Sequence, residues 1–487
     1  MERALIRRDP TDGGELLTPD ICVIGAGSGG LSVAAAAAAF GVPVVLIEKD
    51  RMGGDCLNTG CVPSKSLIAA AKHARAIIQA RAFGISARVS GVDFAAVHRH
   101  IHDVIAGIAP NDSRERFTGL GVRVIAGDAR FRDAETVTVG DEFEIKARRF
   151  VIATGSSPSL PTVPGIKETP YLTNETVFDL TILPSHLIIM GAGPLGLELA
   201  QAFRRLGAEV TVLDVAQALA REDEECAAIV LDALAEEGVD LRANVAVARV
   251  EARDGGVKVA VRAEGGEESI MGSHLLLATG RRPNTDGLGL ERAGIRYDGG
   301  GILVDKRLKT ANRRVYAIGD VAGGAQFTHL AGYHAGLVIR NALFRLPVKM
   351  NEDIIPRVTF TDPELAHVGL READARARRM RFKVLRWPYH ENDRARAERQ
   401  TRGHIKVITS RRGRILGTTI VGANAGELIA TWALAVSERL HVRTLAGMVI
   451  PYPTLAEVGK RAAMTYFLPG ARSPVAQRLI TFLRWFG

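Results

Sequence analysis

The chain has 487 residues, of which 47% are hydrophobic and 24% charged, so we expect a globular protein of about two to four domains. The formal net charge of +9 is spread along the sequence and aromatic residues make up only 5%, which argues against nucleic-acid binding. Four cysteines are too few for a secreted disulfide framework, and we find neither the apolar core of a signal peptide nor an apolar run of membrane-spanning length, so we expect a cytoplasmic protein.

The first glycine-rich turn follows a short apolar run. The stretch "DICVIGAGSGGLSVAAAAAAFGVPVVLIEKD" (20–50) predicts a strand, a turn, a helix and a second strand. Gly25, Gly27 and Gly30 form G-x-G-x-x-G, and Glu48 closes the second strand 23 residues after Gly25. Such a turn lets a pyrophosphate approach the helix N-terminus, while the acid accepts hydrogen bonds from a ribose. The stretch therefore predicts dinucleotide binding.

Two of the four cysteines lie in the next segment, "GGDCLNTGCVPSK" (53–65). Cys56 and Cys61 could form a structural disulfide, half of a metal site, or a redox pair that opens and closes during catalysis. Pro63 suits the first turn of the helix that follows, so both cysteines are expected near a positive helix end, which lowers the pKa of a thiol. We find no second pair with zinc-ligand spacing in the sequence, which disfavours a metal site.

A second glycine turn repeats the pattern of the first. In "HLIIMGAGPLGLELAQAFRRLGAEVTVLD" (186–214) the glycines are Gly191, Gly193 and Gly196, and Asp214 follows 23 residues after the first of them. Two such units on one chain imply two bound dinucleotides, unless one unit is a decayed scaffold. A flavin and a nicotinamide are the usual pair, because hydride can pass from one ring to the other.

Three later segments predict strands that return to the sheets of these units. "FVIATGSSPSLP" (150–161) and "HLLLATGRRPNT" (274–285) each run from an apolar stretch into Ala-Thr-Gly, and "RRVYAIGDVAGG" (313–324) ends in Asp320, an acid suited to the ribityl chain of a flavin. From about residue 352 the alternation in "GHIKVITS" and "ILGTTIVG" predicts antiparallel strands with helices. The expected fold class is α/β, with two Rossmann-like dinucleotide-binding domains and a C-terminal α+β domain.

These motifs resemble those of the class I pyridine nucleotide-disulfide oxidoreductases, which are homodimeric FAD enzymes. The resemblance rests on "GGxCxNxGCVPSK", followed in family order by "RRPNT", "YAIGD", "TDPELAHVG" and "PYPTLAE". It implies a homodimer whose C-terminal domain completes the active site of the partner. The implied segments are an N-terminal extension at 1–17, an FAD-binding domain at 18–160 and 286–350, an NAD(P)-binding domain at 161–285, a dimerisation domain at 351–468 and a tail at 469–487.

The resemblance also assigns roles to single residues. Cys56 is similar to the thiol that attacks substrate, Cys61 to the thiol that lies against the flavin, and Lys65 to a lysine that pairs with a glutamate, here Glu198. The implied FAD contacts are Gly25, Gly27, Gly30, Glu48, Gly54, Ala129, Thr154, Gly155 and Asp320. The implied NAD contacts are Gly191, Gly193, Gly196, Asp214 and Gly280. We expect no resident metal ion.

We expect NAD rather than NADP as the nicotinamide cofactor. A carboxylate at Asp214 accepts from a ribose 2′-hydroxyl and repels a 2′-phosphate. NADP-using relatives place an arginine just beyond this strand, whereas here Val215-Ala216-Gln217 follows and Arg221 comes late.

The sequence departs from the commonest family pattern at Tyr452. Lipoamide and glutathione reductases have a histidine base there, in His-Pro-Thr-x-x-Glu, whereas this chain has "IPYPTLAE" with Glu457 at the end. Tyrosine, with a pKa near 10, is a poor base at neutral pH. Mercuric reductases have a tyrosine at this place, and the chain looks closest to their branch, but they also use a further C-terminal cysteine pair, and no cysteine follows Cys226 in this sequence. The resemblance implies that Tyr452 and Glu457 act as catalytic residues near Cys56 of the partner subunit.

The expected function is electron transfer from NADH through FAD to the Cys56–Cys61 disulfide, and from there to a metal ion or a small disulfide. One alternative is a dihydrolipoamide dehydrogenase that works on a dithiol without the histidine. Another is a non-catalytic flavoprotein subunit of a membrane or multienzyme complex.

The tail at 469–487 combines apolar residues with arginines. The pattern predicts a basic amphipathic helix that touches a membrane surface or a protein partner, or that packs on its own domain or on the dimer mate.

Overall fold

The computed structural model describes residues 6–7, 14–263, 266–471 and 473–486. Most of the predicted N-terminal extension, residues 1–17, lies outside the described residues. Of its described part, Ile6–Arg7 pairs antiparallel with Glu15–Leu17, and Glu15–Leu17 pairs parallel with Phe143–Ile145.

The first glycine turn belongs to a five-stranded parallel sheet. In spatial order its strands are Val315–Ala317, Arg149–Ile152, Ile21–Ile24, Val44–Glu48 and Arg123–Ala126. The central strand is buried at all four residues because helices and a second sheet cover its two faces, as is typical of parallel sheets. Helix Ser28–Ala39 follows the turn and packs against helix Thr328–Ala342.

A mixed sheet lies beside this parallel sheet. Its strands are Ile6–Arg7, Glu15–Leu17, Phe143–Ile145, Val137–Val139 and Ala129–Phe131. The helix that follows the cysteine segment, Cys61–Gln79, is called the redox helix below. It begins after Gly60 and buries Leu67, Ala71 and Ala74, whose spacing of three to four residues forms one face. Further helices in this part are Gly54–Asn58, Phe94–Ile108 and Arg114–Gly119.

The second glycine turn belongs to a four-stranded parallel sheet. Its strands are Asp240–Arg242, Glu209–Leu213, His186–Met190 and His274–Leu277. Helices Pro194–Leu206 and Glu224–Glu236 belong to this unit, together with an antiparallel sheet of Ala246–Arg253, Gly256–Ala263 and Gly266–Gly272. The two units are connected by an antiparallel ribbon of Ser156–Pro158 and Arg281–Pro283, the continuations of the two Ala-Thr-Gly segments.

The C-terminal domain is built on a five-stranded antiparallel sheet. Its strands are Arg357–Thr359, Glu364–Gly369, Ile415–Gly422, His404–Ser410 and Phe382–Pro388. Its helices are Glu372–Ala377, Asp393–Ala397, Ala425–Ser437, Val442–Gly447 and Glu457–Thr465. The predicted fold class is confirmed: two Rossmann-like units and an α+β domain.

Buried ion pairs fix the C-terminal domain against the second unit. Lys406, whose side chain is 6% exposed, contacts Asp223 at 2.9 Å, Glu225 at 3.0 Å and Glu372 at 2.9 Å. Three carboxylates compensate the desolvation of the ammonium group and raise its pKa. Buried charges therefore hold the second unit and the C-terminal domain together.

Candidate active site

The first glycine turn leaves no room for side chains. Gly25 has a φ of +101°, and a Cβ on it would lie 2.5 Å from the carbonyl oxygen of Ala153. A Cβ on Gly30 would overlap the carbonyl oxygen of Gly25. At Gly27, by contrast, the nearest atom to a Cβ would be the Gly54 Cα at 4.0 Å. The turn is thus closed toward the protein and open toward the cavity described below.

The second glycine turn repeats this geometry. A Cβ on Gly196 would overlap the carbonyl oxygen of Gly191, whereas a Cβ on Gly193 would have no atom within 4 Å. The open side of each turn presents backbone amides at a helix N-terminus, where a phosphate group is favoured.

The acids that end the second strand of each unit are held alike. Glu48 accepts hydrogen bonds from Ala26 N at 2.6 Å and Asp50 N at 2.9 Å. Asp214 accepts from Ala192 N at 2.7 Å and from Ala216 N at 2.9 Å. Each carboxylate is therefore fixed beside its glycine turn.

A cavity of about 1080 Å³ begins at the first glycine turn and reaches the cysteines. Its size is at the upper end of small-molecule sites, as an extended dinucleotide requires. The sequence-predicted residues that line it are Gly25, Gly27, Glu48, Gly54, Cys56, Cys61, Lys65, Ala129, Thr154, Gly155, Glu198 and Asp320. Gly30 lies behind the turn, where its missing side chain allows the helix to approach. These residues fit FAD.

The predicted NAD contacts lie outside the lining of this cavity. Over the described part of the chain, the cavity lining includes none of Gly191, Gly193, Gly196, Asp214 or Gly280. Pro194 and Leu195, the first residues of the helix after the second turn, do line it. The second turn therefore opens beside the cavity and adjoins it through this helix end.

Both cysteines of the pair line the cavity. Cys56 is in the short helix Gly54–Asn58 and Cys61 is the first residue of the redox helix, so only Cys61 lies at the N-terminus of a long helix. Both are thiols in this structure, and Cys56 is the more buried of the two.

The thiols of the pair have different acidities. A hydrogen bond from Cys56 is the main cause that lowers the pKa of Cys61 to about 6, with smaller contributions from Thr328 and Lys65. The Cys61 Sγ lies 3.4 Å from the Thr328 Oγ1, at the start of helix Thr328–Ala342. The same pairing, together with burial, raises the pKa of Cys56. Cys61 is therefore the thiolate of the reduced pair near neutral pH.

Lys65 lies one helical turn after Cys61 and pairs with Glu198. Its Nζ is 2.8 Å from Glu198 Oε2 and 4.5 Å from the centre of the Phe360 ring. The other carboxylate oxygen, Glu198 Oε1, accepts a hydrogen bond from Phe360 N at 2.8 Å. Glu198 thus connects the redox helix to the C-terminal domain. It also holds the positively charged Lys65 side chain beside the cavity.

Sequence reasoning missed a polar cluster around the cysteine loop. Asp55, next to Cys56, accepts from Thr59 Oγ1 and from Asn174 Nδ2, each at 2.9 Å, and lies 3.3 Å from Arg281. Arg281 also donates to the Ser156 hydroxyl and carbonyl oxygens, each at 2.7 Å. The cluster ties the cysteine loop to the ribbon between the two units. Its only sequence signal was the arginine pair in "RRPNT".

Asp320 lies in the cavity wall in a buried polar setting. Burial raises the pKa of its carboxyl group, which accepts a hydrogen bond from Ser156 Oγ at 2.6 Å. The preceding residue, Gly319, donates its N–H to His334 Nδ1, and burial lowers the pKa of His334 to about 4. A neutral imidazole therefore positions the loop that presents Asp320.

Tyr452 and Glu457 lie in the C-terminal domain, away from the cavity lining. Tyr452 is 70% exposed, and its hydroxyl donates to Asp393 Oδ2 at 2.9 Å, which raises the pKa of the phenol. Glu457 accepts from Arg461 Nε at 3.0 Å. The cavity lining, as far as the structure describes it, includes neither residue. Their predicted place beside Cys56 of a partner subunit stays a prediction.

The remaining cysteines lie in the protein core. Burial raises the pKa of Cys22 in its strand and that of Cys226 in its helix. Among the described residues, no group of three or more His, Cys, Asp and Glu side chains is placed to hold a metal ion. A search of the same residues for a helix long and apolar enough to cross a membrane found none.

The chain matches two protein-family models, one after the other along the sequence. Residues 19–335 match the family described as pyridine nucleotide-disulphide oxidoreductase, and residues 355–463 match the dimerisation domain of the same name. A mercuric reductase of Bacillus cereus is 36% identical over 451 residues, which are 92% of this chain and 71% of that protein. A dihydrolipoyl dehydrogenase of Geobacillus stearothermophilus is 34% identical over 448 residues, 91% of this chain and 94% of the relative.

Among solved structures, the Cu(II) complex of the HOCl-induced flavoprotein disulfide reductase RclA from Escherichia coli superposes with a TM-score of 0.82. It is 29% identical and covers 92% of this chain and 99% of that one.

Proposed function

The chain belongs to the pyridine nucleotide-disulphide oxidoreductase family, and from this premise we propose that it passes electrons from NADH to a metal ion. Membership makes it an FAD- and NAD(P)-dependent oxidoreductase, and its dimerisation domain supports a homodimer. The observation that carries the proposal is the thiol pair that lines the cavity, in which the pKa of Cys61 is about 6 and Lys65 lies one helical turn away.

Bound FAD would supply two-electron transfer between NADH and the Cys56–Cys61 disulfide. With two electrons and one proton the disulfide opens to one thiolate and one thiol. Cys61 holds its sulfur as a thiolate above pH 6, because Cys56, Thr328 and Lys65 favour the anion. Cys56 keeps its proton until an acceptor binds. A divalent soft metal ion such as Hg(II) displaces that proton and takes two electrons, and the disulfide forms again.

Tyr452 favours a metal ion over a dithiol as the partner of Cys56. A dithiol must lose protons to a base, and the hydrogen bond to Asp393 raises the pKa of this phenol, so even less of its ionised, proton-accepting form is present near neutral pH. A metal ion needs thiolate ligands instead of a base. The names of two similar proteins, mercuric reductase and the Cu(II) complex of RclA, agree with this choice. A small disulfide or a dithiol is the competing substrate, on the strength of the dihydrolipoyl dehydrogenase likeness.

An anaerobic assay of the FAD-loaded homodimer tests the proposal. NADH oxidation would be followed with Hg(II), Cu(II), lipoamide and a small symmetrical disulfide as separate acceptors, and with dihydrolipoamide and NAD in the reverse direction. We expect the highest kcat/KM with a metal ion, and loss of that activity in Cys56→Ser. Faster turnover of lipoamide or of its dithiol than of either metal ion would replace the proposal by its competitor.

The nicotinamide preference is expected to follow Asp214. The fixed carboxylate should give NADH a kcat/KM about 10- to 100-fold above that of NADPH, the worth of one charge-assisted hydrogen bond. Asp214→Ser should bring the two values together, mainly by raising the KM for NADH. Glu209→Ser, an exposed acid at the start of the same strand, is the control. Equal kcat/KM values in the wild-type protein would contradict the assignment.

Tyr452→His is expected to raise dithiol turnover near neutral pH by about 10²-fold, the lower end of what general-base assistance contributes. The same change should lower turnover of a metal ion while flavin reduction by NADH stays normal. Tyr452→Phe removes only the hydroxyl and its hydrogen bond to Asp393, so it separates the loss of the tyrosine from the gain of a base. Unchanged rates in both variants on every acceptor would show that Tyr452 only fills a surface.

A further inference from the structure

The segment after residue 467 contains an amphipathic helix whose start is encoded locally. Helix Pro474–Leu483, called the tail helix below, has Ser473 as N-cap, whose hydroxyl accepts from Ala476 N at 3.2 Å. Proline at the first position suits a helix start. A helical turn, Arg484–Phe486, follows. The predicted amphipathic helix is therefore present, and it lies outside the matched dimerisation domain, which ends at residue 463.

The apolar face of the tail helix has no partner in the described part of the chain. None of its residues is buried. The apolar side chains on this face and in the turn after it are between 53% and 83% exposed; they are Val475, Leu479, Ile480, Phe482, Leu483, Trp485 and Phe486. So large a contiguous apolar surface is unusual on a soluble protein and marks a contact site.

The charged residues of the C-terminal segment all have one sign. From Val458 to Phe486 the sequence contains five basic residues and no acidic one. By helical spacing, Arg478 and Arg484 border the apolar face on its two sides. Their long side chains can lie along apolar surface and keep the guanidinium groups at its rim.

We propose that the tail helix lies in the plane of an anionic lipid surface. Its ten residues span about 15 Å, half the thickness of a bilayer core, so it cannot cross a membrane. The apolar face would enter the boundary between headgroups and acyl chains, Arg478 and Arg484 would contact lipid phosphates, and Trp485 would sit at headgroup level. A lipid surface supplies phosphates along both borders of the face, which matches a rim that has arginines and no carboxylate.

A homodimer has two tail helices. Two helices that reach the same surface would bind it more tightly than one, because the second binds at a high effective concentration. The inference concerns where the dimer is held and does not depend on which acceptor it reduces.

Co-sedimentation of the FAD-loaded, full-length dimer with lipid vesicles tests the inference. One vesicle preparation is pure phosphatidylcholine, and the other contains equal parts of phosphatidylcholine and phosphatidylglycerol. We expect binding to the second preparation, weakening with added salt, and at least tenfold less binding to the first. The fluorescence of Trp485 should shift to shorter wavelength on binding, and Trp485→Phe should abolish that shift.

Two matched double variants separate the effect of the two tail arginines from the effect of removing two positive charges elsewhere in the protein. Arg478→Gln with Arg484→Gln should weaken binding to the anionic vesicles by about 30-fold or more. Arg249→Gln with Arg253→Gln removes the same charge from exposed positions of the second unit and should leave binding unchanged. The wild-type protein, Trp485→Phe and the two double variants should have the same NADH-dependent turnover, because the substituted side chains lie outside the proposed catalytic site.

Three results would overturn the inference: no binding to anionic vesicles, equal binding to both preparations, or equal loss in both double variants. A tail that instead packs on the dimer mate would give the first result, and the tail variants would then raise the dissociation constant of the dimer.

Discussion

Cys61→Ser is expected to reduce the turnover of every acceptor by at least about a thousandfold, while reduction of the flavin by NADH continues. A serine hydroxyl cannot form the disulfide that receives electrons, so electrons stop at the flavin. Stopped-flow spectroscopy under anaerobic conditions separates the two steps. Retention of full turnover in Cys61→Ser would show that the acceptor takes electrons from the flavin directly, and the roles proposed for both cysteines would then be wrong.

The same pair gives a pH dependence whose sign is fixed. Oxidised flavin next to a thiolate shows a long-wavelength charge-transfer band, and we propose that Cys61 is this thiolate. With a hydrogen bond from residue 56, its pKa is about 6, so the band should be present above that pH and should be lost as the pH falls through it.

Two variants of Cys56 isolate the cause of this acidity. Cys56→Ser keeps a hydroxyl that can donate to the Cys61 sulfur, and the oxidised enzyme should show the band without reduction, with a midpoint near pH 6. Cys56→Ala removes the donor, and the midpoint should rise by at least about one pH unit toward that of an ordinary thiol. Identical midpoints would assign the acidity to Thr328, Lys65 and the helix end instead.

The features that sequence reasoning predicted well are those encoded within one short stretch. Each glycine turn, its flanking strands and its acid occupy about thirty residues, and the tight turn permits few backbone conformations. The same holds for the tail helix, whose cap and apolar spacing lie within fourteen residues. Local sequence fixes these structures because their main contacts are local.

The features that it missed depend on contacts between distant segments. Asp55 meets Asn174 across 119 residues and Cys61 meets Thr328 across 267 residues. The pairing of Lys65 with Glu198 followed from the family resemblance, but its link to Phe360 N did not, because a backbone donor has no sequence signature. The position of Tyr452 relative to a second subunit is likewise absent from one chain.

Gly30→Ala is expected to lower the amount of FAD bound per protein at least tenfold. The added Cβ would overlap the carbonyl oxygen of Gly25, a backbone atom that cannot move without opening the turn, and displacement of helix Ser28–Ala39 would remove the amides that face the pyrophosphate. The measurement is the ratio of flavin to protein absorbance after purification, with circular dichroism to confirm the fold.

Two further alanine variants make this expectation specific. Gly107→Ala, in helix Phe94–Ile108, meets no atom within 4 Å and should keep full flavin content, since alanine favours a helix. Gly196→Ala makes the same overlap as Gly30→Ala, but in the second turn, against the carbonyl oxygen of Gly191. It should keep the flavin and lose at least tenfold in kcat/KM for NADH, so the two turns would be assigned to their two cofactors. Each added Cβ overlaps the backbone of its own turn, so each variant should impair only the nucleotide bound at that turn. Retention of flavin in Gly30→Ala, or loss of flavin in Gly196→Ala, would therefore contradict the assignment of the first turn to FAD.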